Sequence, residues 1–261
     1  MTTSTTNKPM FIGIDGPAAA GKTTAAKAVA RLLGYLYVDT GAFYRAVAFW
    51  FDNDHHITGR WYKDGKPDLP AIETQMTEGL PWNIEPRWTE DGTQEMYMDN
   101  QRIPEPFLRT PEISQLSSTI STLPIVRQYV NQKIKEVFAT HDVVMEGRDV
   151  CTALNPNADC KIFLTADRKV RAKRRLRDIE KQAKKGEKLP SLAEVEEELR
   201  IRDERDMNRK TDPLYKPADS FEIDNSFIGK DETVRYIMTA IRYRVNYPLS
   251  KANGLPASQT S

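Results

Sequence analysis

Residues 10–24 of this chain read MFIGIDGPAAAGKTT, an apolar run that enters a glycine-bounded turn and leaves it as a helix. From Gly16 the spacing is G-x-x-x-x-G-K-T, ending on Gly21, Lys22 and Thr23, the full P-loop pattern. Glycines at both ends let the backbone turn tightly and approach a ligand. The segment Gly16, Pro17, Ala18, Ala19, Ala20, Gly21, Lys22, Thr23 and Thr24 then wraps a polyphosphate, with the N-terminus of the next helix facing it. Lys22 adds a mobile positive charge for the β- and γ-phosphates, and Thr23 offers a hydroxyl to Mg²⁺. A Gly/Ala turn can match such a pattern by accident, but the required context is present. Phe11-Ile12-Gly13-Ile14 reads as a buried strand, and Ala25 to Leu33, closed by Gly34, reads as a helix. Nucleotide binding is the expectation.

The remaining composition narrows the class. With 261 residues, 39% hydrophobic and 29% charged, the chain can form one sizeable core with inserted subdomains. A net charge of +1 argues against a broad nucleic-acid or membrane surface, so any basic cluster must serve a local purpose. MTTSTTNKP has no apolar signal region and no stretch is long enough to span a bilayer, so a cytoplasmic protein is expected. Cys151 and Cys160 suit neither a disulfide framework nor a zinc site. His55 and His56 sit in a polar stretch that reads as solvated loop, and with His141 they make no convincing metal cluster.

Along the chain, YLYV at 35–38 is a second strand, ended by Asp39-Thr40-Gly41, and AFYRAVAFWF carries a helical stripe of Tyr44, Val47 and Phe51. Residues 53–106 are broken by prolines and glycines. Within them IEPRWTEDGTQEMYMD suggests two strands about a turn at Asp91-Gly92, hence an inserted β-rich subdomain. Helical signals return at Pro111, and Pro124 opens a helix to about Ala139. DVVMEGRD, KIFL and Phe221-Glu222-Ile223 complete five strands, and Glu232 to Asn246 is the last helix. Seven cations between Arg168 and Arg177 read as a solvated helix face. KKGEKLPS at 184–191 then breaks the chain before a capping box at Ser191 and Glu194. Two charged helices joined by a polar tip suggest a lid over about 175–205. Residues 1–8 and 248–261 have the composition of disordered tails, leaving a domain at 9–247 with its core in 9–52 and 107–247. Strands alternating with helices predict a parallel α/β sheet, with ligands at the carboxyl ends of its strands.

A guanine-reading Asn-Lys-x-Asp segment and an Asp-x-x-Gly switch are both missing, which disfavours a GTPase. Instead a second set of cations lies away from the P-loop: Arg45, Arg127, Arg148, Arg202, Arg205 and Arg209. Two phosphates brought to about 4 Å repel by about 4 kcal/mol per pair of unit charges at an effective dielectric of 20. Arginine forks offset that repulsion and never deprotonate. The pattern suggests phosphoryl transfer between two phosphorylated partners. A phosphate acceptor is already an anion and needs no general base, whereas an alcohol acceptor would need a positioned carboxylate. Taken singly, each arginine is an ordinary surface ion pair; the joint occurrence with the P-loop carries the reading.

The chain resembles the bacterial-type cytidylate kinases, among the P-loop nucleoside monophosphate kinases, through IDGPAAAGKTT, VDTGAFYRAVA, VVMEGRDV and RDERDMNRKTDPL in that order. The resemblance implies ATP as phosphoryl donor with Mg²⁺, CMP and dCMP as acceptors, and a monomer. By it, Thr40, Tyr44 and Arg45 border the CMP, with Arg45 on its phosphate. Ser118, Arg127 and Asp149 face cytosine, Arg202 and Asp206 the ribose, and Arg148 and Arg209 the phosphate; Lys22, Arg148, Arg205 and Arg209 are the implied catalytic cations. The insertion at 53–106 matches a CMP-binding subdomain and the charged hairpin a lid. Three residues depart from the family pattern: Glu146 stands where Asp is common, Cys151 where Gly is usual, and Asn155 in a segment that is usually apolar. The other readings are a kinase for UMP, AMP or shikimate and a non-catalytic nucleotide-dependent binding module.

Overall fold

A computed structural model describes residues 8–183 and 188–246. The expected tails, Lys8 apart, and most of the hairpin tip at 184–187 lie outside the described residues. The chain opens with β1 (Phe11–Asp15), α1 (Lys22–Leu33), β2 (Leu36–Asp39) and α2 (Thr40–Thr58). The insertion follows as β3 (Tyr62–Lys63), β4 (Lys66–Pro67), α3 (Leu69–Glu78), β5 (Ile84–Trp88), β6 (Gln94–Met98) and β7 (Gln101–Ile103). Then come α4 (Glu105–Leu108), α5 (Pro111–Ile120), α6 (Pro124–Phe138), β8 (Val143–Glu146), a π-helical turn (Val150–Leu154) and β9 (Cys160–Thr165). The chain ends in α7 (Arg168–Gln182), α8 (Leu192–Asn208), β10 (Phe221–Asp224) and α9 (Lys230–Asn246). Among the described residues no helix is long and apolar enough to cross a membrane.

Five strands form one parallel sheet in the order β10-β9-β1-β8-β2. Both faces are covered, which is why β1 reads as an unbroken apolar run rather than an alternating one. Alternate residues serve opposite layers: Ile12, Ile14 and Val144 pack under α1 and α9, while Phe11, Val143 and Met145 pack toward α2, α5 and α6. Gly13 falls in the second set, and a Cβ there would sit 2.3 Å from the Cys151 sulfur. The bare glycine on β1 makes room for the larger residue at 151.

In-register pairing of Ile14 and of Asp39 with Glu146 brings the carboxyl ends of β1, β8 and β2 to one edge. Gly16 leaves β1 at φ +149°, and a Cβ there would lie 2.0 Å from the Leu164 carbonyl oxygen, so only glycine fits that turn. Asp15, fully buried, accepts from the N–H groups of Val150 and Cys151 and so anchors the π-helical turn behind the P-loop. Burial pushes its carboxyl up to about 6. Asn155 closes that turn, its side-chain oxygen accepting from Asn157 N–H at 3.2 Å, a local hydrogen bond that an apolar residue would lack.

Two local expectations are corrected and one is extended. α2 continues through His55 and His56 to Thr58, where Gly59 in the left-handed region stops it, so the histidines are helical rather than loop. The insertion is not only β: besides the three-stranded antiparallel sheet β5-β6-β7 it contains α3, capped by Asp68 with Pro70 in its first turn. Arg171, in the middle of the charge run on α7, is buried. The insertion shares its apolar interior with the core through Trp50, Phe51, Trp61 and Trp82, with ring centroids 5.1–5.8 Å apart. It also leans on the edge strand β2: Trp88 Nε1–H donates to Tyr37 O and Asp39 N–H donates to Gln94 Oε1.

Candidate active site

One cleft of about 670 Å³ opens at that sheet edge, and its two ends carry different chemistry. Residues 18–24 of the P-loop form one end. Gly21, in the left-handed region, starts α1 without a side-chain cap, which leaves the helix N-terminus to an anion. Lys22 is buried, and its Nζ donates to the carbonyls of Gly16 and Pro17 at 2.8 and 2.7 Å. Burial first, and then the Arg148 charge, push the lysine down to about 7. A polyphosphate arriving here supplies the negative charge that this ammonium lacks. Gly16 and Pro17 do not line the cleft; their carbonyls hold the lysine instead.

The other end collects Thr40, Tyr44, Arg45, Ser118, Arg127, Arg148, Asp149, Arg202, Asp206 and Arg209, so every acceptor residue expected from the sequence lines the same cleft. Arg205 does not line it; its Nη1 donates to Ser118 Oγ at 3.0 Å. Arg127, almost wholly buried, donates through Nε to Asp212 at 2.7 Å and through Nη2 to Asp149, and its guanidinium lies over the Tyr44 ring. Arg209 holds the second Asp149 oxygen at 2.9 Å and the Asp212 carbonyl at 2.7 Å. Burial pushes the Asp149 carboxyl up despite the two arginines. Asp206 takes Arg148 Nε at 2.9 Å; burial works against its charge, yet Arg148, Arg202 and Arg209 hold it below the usual carboxylate range. Arg45 pairs with Asp39 at 2.6 Å, and Asp39 also caps α2.

Three buried polar atoms in this half have no protein partner: Tyr44 Oη, Arg45 Nε and Arg202 Nε. Arg202 is the most exposed to that cost, since burial and the neighbouring Arg148 push it down to about 10. Arg45 and Arg202 line the cleft, and guanidinium groups short of protein partners fit an anionic ligand there. Glu146 is turned onto Tyr37, whose hydroxyl donates to it at 2.7 Å, while Thr40 Oγ1 donates to the Glu146 carbonyl. Among the described residues no group of three or more His, Cys, Asp or Glu could hold a metal alone. Thr23 in the cleft is a hard oxygen donor of the kind that takes Mg²⁺ together with phosphate oxygens.

Several functional positions went unread in the sequence. Asp212, just before Pro213, has no periodic signal, yet it anchors Arg127. Arg171 and Asp203 hide inside charge runs; they form a 2.6 Å buried pair against the P-loop. Asn225 donates to Ala20 O at 2.9 Å from the far end of β10 and accepts from Arg174.

A P-loop at the edge of a five-stranded parallel sheet, facing a second arginine-rich pocket in one cleft, defines a P-loop kinase with two anionic substrates. Residues 12–243 match the cytidylate kinase family model. The chain belongs to that family. A Lactobacillus gasseri protein named cytidylate kinase is 36% identical over 233 residues, 89% of this chain and 94% of its own length. One from Lactiplantibacillus plantarum is 37% identical over 230 residues, 88% of this chain and 93% of its own. Among solved structures, TT1252 from Thermus thermophilus aligns over 92% of this chain and 99% of its own at 15% identity, with a TM-score of 0.46.

Proposed function

We propose that the protein transfers the γ-phosphoryl group of ATP to the phosphate of CMP, giving CDP and ADP, with dCMP as a second acceptor. The observation that carries this reading is the cluster of arginines, Arg45, Arg127, Arg148, Arg202 and Arg209, that lines the same cleft as Lys22. In the transfer the bond from the γ-phosphorus to the β-phosphate oxygen breaks and one to a CMP phosphate oxygen forms. The acceptor is already ionised, so no side chain has to remove a proton. Lys22 leaves the Gly16 and Pro17 carbonyls for the donor phosphates, while Arg148, Arg202 and Arg209 lower the repulsion between the two anions. Arg45 exchanges Asp39 for the CMP phosphate. Thr23 would hold Mg²⁺, which when bound neutralises charge on the donor phosphates.

Asp149 and Arg127 read the base. Each Asp149 oxygen takes one arginine N–H and has a lone pair left for the N4 amino group of cytosine, while Arg127 and Ser118 serve N3 and O2. Uracil would set a carbonyl against the carboxylate and an N–H against the guanidinium. Residues 53–106 close over CMP and the hairpin at about 175–205 acts as lid, excluding water from the transfer. The enzyme works as a cytoplasmic monomer. A coupled assay with ATP, Mg²⁺ and CMP, dCMP, UMP, AMP or shikimate tests the reading: turnover is expected with CMP and dCMP, with UMP about a hundredfold poorer. Equal turnover of UMP defeats the base pocket, and tight ATP binding without turnover of any acceptor defeats the kinase.

A further inference from the structure

α7 and α8 carry a small apolar cluster of Ala172, Leu176, Val195 and Leu199, and the P-loop residue Ala18 is buried inside it. The two peptide groups that flank the Ala18 Cα are each held by a side chain. The Ala18 N–H donates to Asp203 Oδ1 at 3.0 Å, and its carbonyl accepts from Arg171 Nη1 at 3.0 Å. The same Arg171 nitrogen reaches Asp203 Oδ2 at 2.6 Å, and Arg171 Nε donates to Ala166 O at 2.9 Å, so the guanidinium has no freedom to swing away. Both side chains are buried. The next residue, Ala19, sits at φ +57°, a left-handed conformation that residues other than glycine seldom adopt.

We infer that Arg171 and Asp203 are positioning residues that hold the P-loop, through Ala18, in the shape that binds the donor phosphates. Charge-assisted hydrogen bonds to the N–H and to the carbonyl of one residue fix the two peptide planes that flank it, and that fixes where the strained turn at Ala19 begins. The contact also ties the P-loop to the two helices of the charged hairpin, because Arg171 lies on α7 and Asp203 on α8. Neither side chain lines the cleft. Their hydrogen bonds reach the P-loop and no acceptor residue, which Asp203 touches only through its charge on Arg148, so their effect should fall on donor affinity and turnover more than on the acceptor. The inference rests on the kinase reading for the identity of the donor, but not on the choice of acceptor.

The test uses the full chain, with fluorescent ADP titrated at fixed Mg²⁺ and steady-state kinetics alongside. Asp203→Asn should raise the ADP dissociation constant about tenfold, the loss expected when a charge-assisted bond becomes a neutral one. KM for CMP should stay within about twofold, because that pocket shares no contact with Ala18. Arg171→Lys, a milder change that keeps the charge but cannot span Ala166, Ala18 and Asp203 together, should weaken ADP about threefold. It carries the test if Asp203→Asn does not fold. Adding Ala19→Gly to either variant should recover about threefold of the lost affinity, since glycine adopts the left-handed turn unaided; a residue needed only for folding would give no such rescue. ADP affinity unchanged in the folded variants, CMP and ADP affinity falling in parallel, or no rescue by Ala19→Gly each overturns the inference. The ADP titration reports on it even if CMP proves not to be the acceptor.

Discussion

Replacing Arg127 by Met separates what this arginine does for the fold from what it does for the base. The side chain is 2% exposed and gives its hydrogen bonds to Asp212, Asp149 and the Ser121 carbonyl. Methionine fills similar volume without charge, leaving two carboxylates short of a partner. Breaking a buried pair costs about 3–5 kcal/mol when the remaining charge has no recourse. Here Asp149 keeps Arg209 at 2.9 Å and the Asp212 side chain is 27% exposed to water, so the cost falls to about 2–3 kcal/mol. For a chain of this size that lowers the melting temperature by about 4–6 °C. The base pocket loses the donor for cytosine N3 or O2, so kcat/KM for CMP should fall about a hundredfold and the CMP-to-UMP ratio should move toward one. ADP binding at the P-loop end should hold within about twofold. Melting curves with and without CMP, and a coupled assay run well below the variant's transition, read all three. At a hundredfold excess over its dissociation constant CMP stabilises the wild type by about 2.7 kcal/mol, and a hundredfold weaker site should cut that increment to about 0.4 kcal/mol in the variant. A variant that melts with the wild type, or one that keeps the CMP-to-UMP ratio, refutes the reasoning.

Lys22→Ala should lower turnover far more than it weakens ADP binding, because backbone N–H groups also hold the phosphates; equal losses in both would count against the role. The same lysine sets a pH signature. Its folded value near 7 lies below the ordinary lysine value, so the unfolded chain binds the extra proton between the two and this group makes stability rise with pH across that window. Bound phosphates restore the ammonium, so ADP binding at pH 8 should take up a proton, measured by calorimetry in buffers of different ionisation enthalpy. No uptake by the wild type, or the same uptake by Lys22→Ala, would remove Lys22 as its source. Hydrogen exchange across residues 175–205 should slow most with a bisubstrate analogue and less with either nucleotide alone. Identical exchange in all states would sink the lid.

The strand–loop–helix around Gly16 could be read directly because its determinants are local: an apolar run, two glycines and a lysine at fixed spacing. The five strands and most helices were readable for the same reason, and so was the capping box at Ser191 and Glu194. Resemblance in four short segments was enough to nominate acceptor residues that the fold then gathers in one cleft. What the sequence left undecided is which charge meets which. Arg171 looks like any member of its charge run until α7 and α8 pack and bury it on Asp203; Arg205 looks like its neighbours until it turns to Ser118. Glu146 ends the apolar strand β8 with a charge, and only the approach of Tyr37 from β2 shows where its carboxylate goes. Asp212 and Asn225 reach their partners across 85 and 205 residues of chain. Local propensity depends on near neighbours and survives in the sequence, whereas a charge gains or loses its role through desolvation and partners that only the tertiary fold brings within 3 Å.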